Sequence, residues 1–272
     1  MHRIEGIGLE CVLLRDGHDP FEPRFVAANV PEGDLEEAFA PLVDELSATG
    51  CVAFIDGLTG AARKSLAALD RALARSRAAS AEQRVWLLER LAEMAWRLND
   101  AKLAEQYFKR ALALGITDGF LLAAYADFLL DYGRAPEVIT LLKDWTLADP
   151  LLLRLALAEQ AVNAPAARAH QATLADRYAA ARLRGDTTHE QEESRFTLQM
   201  LQQPAEALRL ALSNWRIQKE PRDARVLLEA SLAARRPDAA QPVLDWMRET
   251  RIEDWYLQRL ADQLANPRKG AP

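Results

Sequence analysis

The stretch of this chain nearest to an enzymatic motif is Phe54 to Ser65, FIDGLTGAARKS. A short apolar run, a glycine-containing turn and then Lys64-Ser65 imitate a strand, a phosphate loop and a helix. A phosphate-cradling loop needs glycine immediately before the lysine and again five places earlier, so that backbone N–H groups can close on the phosphates. Arg63 and Leu58 occupy those positions, so the stretch reads as a turn between helices with a solvated Lys64. His189 opens HEQEE, which falls short of a zinc-protease helix because Glu193 stands where the second histidine belongs. The expectation there is a capping box made by Thr187 and Glu190, with the acids in solvent. His2, His18, His170 and His189 are the only histidines, too few and too scattered for a metal cluster, and His170 among alanines reads as structural. Serine, aspartate and histidine are all present, but no nucleophile elbow frames them. Cys11 and Cys51 have no neighbour at metal-ligand or redox spacing. They are two buried thiols or, in an exported protein, a disulfide. No catalytic residue, cofactor or metal is expected, and the chain is not read as an enzyme.

The bulk properties narrow the classes further. With 34 Lys and Arg against 40 Asp and Glu, the net charge is −6, without the basic excess of a nucleic-acid binder. No segment reaches the 18 or so uninterrupted apolar residues of a membrane helix. The first residues, MHRIEGIGLECVLLRDGHD, place acids where a signal peptide needs an apolar run. A cytoplasmic protein is therefore expected, or a periplasmic one if the start is truncated relative to its relatives.

What the chain does carry is a repeat. From Val85 to Pro150 the same spacing of small, aromatic and turn residues occurs twice: Ala104 is matched by Val138, Asn99 by Gly133, Ala111 by Trp145 and Ile116 by Pro150. The offset is the roughly 34 residues of a tetratricopeptide repeat. A hairpin this short cannot bury its own apolar face, so Ala92, Ala104, Ala111 and Ala126 let neighbouring helices approach while Leu91, Phe108, Tyr125 and Leu142 fill the gaps. Gly133 suits a left-handed helix end, and Asp149 before Pro150 suits a helix start. The fold class expected is all-α, a tetratricopeptide-like right-handed superhelical solenoid of antiparallel helix pairs. Residues 1–30 read as an irregular arm, with at most one short strand within 1–60. Residues 31–80 read as a degenerate or capping helical segment that includes an acidic amphipathic helix from Glu32 to Glu45. Hairpins fill 81–250, with clear repeats at 85–118 and 119–152 and divergent ones over 153–250. Residues 251–272 form a capping helix and tail.

The stretches ALALGITDGFLLAAYADFLLDYGR, DPLLLRLALAEQ and KEPRDARVLLEASLAA together resemble uncharacterised bacterial tetratricopeptide-repeat proteins, over roughly residues 50–265. The resemblance implies that relatives carry further repeats and an export signal ahead of the matched part, and it brings no catalytic residues to transfer.

In such a solenoid the first helix of each hairpin lines the concave side. The register points Trp86, Glu89, Glu93, Trp96 and Arg97 inward from the first clear repeat, and Phe120, Ala123, Asp127, Leu130 and Asp131 from the second. Either these residues form an open acidic and aromatic groove, or the chain's own N-terminal part covers them. Glu89 and Glu93 stand where a carboxylate clamp would need cations, which disfavours a peptide C-terminus. The function expected is a non-catalytic scaffold or adaptor binding a protein or peptide that offers basic and apolar residues through Trp86, Glu89, Glu93, Trp96, Arg97, Phe120, Asp127 and Asp131. The alternative is an accessory module of an enzyme or nucleotide-binding protein acting through residues 1–65.

Overall fold

A computed structural model describes residues 45–266; the irregular arm, the acidic helix as far as residue 44 and the tail expected from the sequence lie outside them. The described residues form thirteen α-helices and one 3-10 turn, with no strand among them. In chain order the helices are α1 (Glu45–Leu58), α2 (Ala62–Arg75), α3 (Ala81–Arg97), α4 (Ala101–Leu112), α5 (Gly119–Asp131), α6 (Ala135–Leu142), α7 (Asp149–Ala161), α8 (Ala167–Leu183), α9 (Glu190–Gln199), α10 (Pro204–Trp215), α11 (Pro221–Ala233), α12 (Gln241–Thr250) and α13 (Trp255–Ala265); the 3-10 turn Pro237–Ala240 leads into α12. The fold is all-α.

The boundaries follow local chemistry. Ser80 accepts from the Gln83 N–H while the Gln83 side chain accepts from the Ser80 N–H, a reciprocal cap that starts α3. Asp100, Asp118 and Asp254 cap α4, α5 and α13 in the same spirit. Gly133 leaves α5 at φ +68°, as its place at the turn requires. Asn99 and Asn163 make the corresponding turns after α3 and α7 at φ +62° and +54°, a region that asparagine enters more readily than most residues.

Consecutive helices pair as hairpins, α1 with α2 through α11 with α12, and each odd-numbered helix also packs on the next odd-numbered one, from α1 to α13. Small residues mark the close approaches: Ala92, Ala104, Ala111 and Ala126 have no exposed surface, and Phe108 and Leu142 fill the space between them. The apolar interior divides into two clusters, one running from Ala53 to Met200 and one from Ala207 to Leu264.

Cys51 to Ile55 is the middle of helix α1, and Gly60 turns the chain behind that helix at φ +86°. Gly50 and Gly57 are tolerated inside this helix because α3 presses on it: a Cβ on Gly50 would stand 2.4 Å from the Trp86 ring. One element differs from the sequence reading: Thr187 and Glu190 form no capping box. Asp186 accepts from the Thr188 N–H instead, and α9 starts at Glu190. The acids of HEQEE are not all in solvent: Glu190 and Glu193 are buried, Glu193 pairing with Arg182.

The first and last hairpins touch. Oε2 of Glu253, in the turn between α12 and α13, accepts the Ala62 N–H at 2.7 Å and so caps α2, whose own N-cap, Ala61, has no side chain to do it. Gly60 lies against the same turn, where a Cβ would meet the Arg251 carbonyl oxygen at 3.1 Å.

Candidate functional site

The inward faces of the odd-numbered helices meet around one cavity of about 140 Å³. Helix α3 contributes Glu89, Arg90, Glu93, Trp96 and Arg97, and α5 contributes Phe120, Ala123, Ala124, Asp127 and Asp131. Steps of three and four residues keep each set on one helical face. Phe54 comes from α1, Arg154 from α7, Gln191 and Arg195 from α9, Arg222, Arg225 and Glu229 from α11, and Trp255 and Tyr256 from α13, with Glu220 and Asp254 at the starts of the last two helices.

Eight of the ten residues that the repeat register points inward therefore line a common space. Trp86 does not: it is half-buried and its ring seats α1 over α3 at Gly50. Leu130, also expected to point inward, packs against the apolar core.

The acidic character expected of this surface is corrected by its partners. The wall holds seven carboxyl groups (Glu89, Glu93, Asp127, Asp131, Glu220, Glu229, Asp254) and six guanidiniums (Arg90, Arg97, Arg154, Arg195, Arg222, Arg225). Asp127 sits between two of them, its Oδ2 accepting from Arg154 at 2.6 Å and its Oδ1 from Arg195 at 2.5 Å. Burial alone would raise the Asp127 pKa, but the two arginines overcome it and hold the carboxyl well below its usual range. Arg154 is anchored in turn by the carbonyl oxygens of Ala123 and Pro150. Asp131 accepts a two-pronged pair from Arg225 at 2.7 and 2.8 Å. Burial nonetheless outweighs that pairing and pushes the Asp131 carboxyl up. Arg225 also donates to Glu229 and lies 4.1 Å from the centre of the Tyr256 ring, whose hydroxyl donates to the same Glu229 oxygen.

At the other end of the cavity Arg90 bridges Glu89 at 2.8 Å and Glu93 at 3.0 Å and lies over the Phe54 ring. Burial raises the Glu89 carboxyl to about 7, against the pull of Arg90. Arg97 is different. It makes no ion pair with a described residue, and its one hydrogen bond is a 3.5 Å contact from Nη2 to the Gly57 carbonyl at the end of α1. Burial pulls its pKa down.

Chemically, the wall is a set of fixed charges already neutralised against one another, with aromatic rings between them. Of the other stretches weighed for chemistry, FIDGLTGAARKS is the end of α1, a turn and the start of α2, and His170 shares a 2.7 Å contact with Glu159 on the neighbouring α7. Among the described residues no His, Cys, Asp or Glu side chains gather as a metal-binding group, and no helix is long and apolar enough to cross a membrane. Comparison with protein-family models, with curated proteins and with solved structures found no match.

Apart from Arg97, the arginines are the part that the sequence reading missed, and some of them carried a signal. Arg154 stands one repeat length after Phe120 and two after Trp86, so the same register marks it as inward. Gln191 with Arg225, and Arg195 with Glu229, are again one repeat length apart. The 17-residue helix α8 breaks the count between α7 and α9, and without that link the two halves of the wall cannot be aligned by period.

Proposed function

We propose that this chain is a non-catalytic helical-repeat scaffold of the tetratricopeptide type, with hairpins following a right-handed superhelical path, and that it holds a short element of a partner protein at the cavity between its inner helices. The observation that carries this reading is the convergence of side chains from seven successive odd-numbered helices on one space. A helix with side chains is about 10 Å across and an average drug-sized site exceeds about 300 Å³, so a cavity of about 140 Å³ admits a side chain or a chain end rather than a whole helix. Because Asp127, Asp131, Glu89 and Glu93 already face arginine, a basic partner gains little from them, and apolar contact with Trp96, Phe120 and Phe54 supplies the affinity instead.

The test is hydrogen exchange on the chain with and without a partner captured from cell extract. Slowed exchange in α3, α5, α9 and α11 is the expected result. Protection confined to the outer helices α4, α8 and α12 would refute the inner surface as the binding face.

A further inference from the structure

Charge is unevenly distributed along this chain. Residues 1–44 hold ten acids and three arginines, a net charge of −7, while the whole chain stands at −6, so residues 45–272 together stand at +1. Five of the ten acids, Glu32, Asp34, Glu36, Glu37 and Asp44, fall just ahead of α1.

A complementary run of positive charge is on α2. Its buried residues Ala62, Ser65, Leu69 and Leu73 turn one side of the helix to the core. Lys64, Arg71 and Arg75 follow at steps of seven and four, which keeps them in one stripe on the opposite side, and all three are exposed. At about 1.5 Å per residue the stripe is about 16 Å long, and Arg77, also exposed, follows the helix end. Asp70, the only acid of α2, is turned to Arg110 of α4, and Arg63 is turned to Glu253. Among the described residues Lys64, Arg71, Arg75 and Arg77 have no acidic partner. Arg71 and Arg75, four residues apart, repel each other, so acids laid over the stripe stabilise it.

Residue 44 joins the described chain at one end of this stripe. Helices α1 and α2 are each 14 residues long, joined by a three-residue turn and packed on each other, so the start of α1 lies beside Arg75 at the end of α2. Glu37 precedes Glu45 by eight residues. An extended chain covers about 3.3 Å per residue, so Glu37 reaches about 26 Å and can span the whole stripe. The tether also gives these acids a high effective concentration at α2, which a free acidic partner would have to exceed.

We propose that residues 32–44 of this chain dock on the exposed stripe of α2, their acids set against Lys64, Arg71, Arg75 and Arg77. The contact covers an outer face and is independent of the cavity between the inner helices.

The experiment is zero-length cross-linking of the full chain with a carbodiimide, which joins a lysine amine to a carboxylate in contact with it, read by peptide mass spectrometry. Lys64 is expected to link to acids of residues 32–44 at least about tenfold more than the exposed Lys102, Lys143 and Lys219 do. In 1 M salt, where the screening length is about 3 Å, that preference should fall about tenfold. Arg71→Glu together with Arg75→Glu keeps Lys64 in place and changes only exposed positions. It should lower the Lys64 links about tenfold, the scale of two or three exposed ion pairs. Adding Glu36→Arg and Glu37→Arg should restore them, because Glu32, Asp34 and Asp44 remain to react, and a general loss of structure would give no such rescue. Mixing isotope-labelled and unlabelled chains shows which copy supplies the acid. Links within one chain support the proposal, and links between chains assign the stripe to a second copy and overturn it. Equal linking at all four lysines, or Lys64 links that ignore the arginine reversal, also overturn it. Hydrogen exchange at the inner helices does not depend on any of these outcomes, so the scaffold reading stands or falls separately.

Discussion

Replacing Asp127 by alanine removes the one acid shared by two buried arginines. Arg154 and Arg195 keep only 4% and 8% of their side-chain surface exposed, so neither can turn to water for compensation. Arg154 retains two carbonyl acceptors, whereas Arg195 is left with Gln199 at 3.4 Å. Removing one partner of a buried pair costs about 3–5 kcal/mol, because the charge that stays behind is uncompensated. Urea unfolding followed by far-ultraviolet dichroism is the assay. With a slope of about 1–3 kcal/mol per molar urea, the midpoint should fall by more than about 1 M. Acidification adds a second check. The folded Asp127 carboxyl is held below its ordinary 3.8, so its stabilisation is present above that pH and disappears as pH drops further. The wild type should lose stability over that range and the alanine variant should lack this component. Replacing the whole triad with Asp127→Leu, Arg154→Met and Arg195→Met should recover most of the loss, since apolar residues of similar volume need no charge partners. A loss below about 1 kcal/mol for the single variant, or no recovery in the triple one, would refute the argument that this pairing holds α5, α7 and α9 together.

Glu89→Gln should flatten the pH dependence of stability. The folded pKa of about 7 lies above the ordinary 4.5, so the contribution of Glu89 is fully present below pH 4.5 and up to about 3 kcal/mol of it is lost as pH rises through 7; equal slopes for the two proteins in that window would contradict the assignment. Gly133→Val should lower stability by about 1–2 kcal/mol through strain at φ +68° alone, since nothing lies within 4 Å of the added Cβ, and Gly133→Asn should recover part of it; unchanged melting in the valine variant would mean that the turn relaxes. Glu253→Ala frees the Ala62 N–H and should speed hydrogen exchange in the first turn of α2 at a cost of about 1 kcal/mol, reduced because Glu253 is one-third exposed; exchange that does not change there would show the contact to be incidental.

The helix ends were legible because their signals are local. Asn99, Gly133 and Gly185 each leave a helix in the left-handed region, and the alanines expected at close approaches are the ones with no exposed surface. Glu89, Glu93, Trp96 and Arg97 share a face of α3 for the same reason: helical spacing places them before any tertiary contact forms. What those residues meet was not legible. Asp131 and Arg225 are 94 residues apart, and Asp127 and Arg195 are 68. No local pattern links such pairs, and the acidic surface is largely neutralised when they come together. Helix α9 misled for a related reason. Seven of the residues from Glu190 to Thr197 are buried, most of them polar: Gln191 and Arg195 line the charged cavity, Glu193 pairs with Arg182 and Ser194 donates to the Ala207 carbonyl oxygen. Composition alone reads EQEESR as a solvated face. The glycines of α1 were not explicable locally either: only the proximity of Trp86 to Gly50 and of Met94 to Gly57 explains why glycine is there.

An array of repeats that touch only their neighbours can gain or lose a unit at either end and can unravel one unit at a time. The bond from Ala62 to Glu253 joins residues 191 apart in the sequence, so the first and last described hairpins are not independent of each other. A hairpin added or deleted between them would break that bond, and loosening of the α12–α13 turn should be felt at the start of α2.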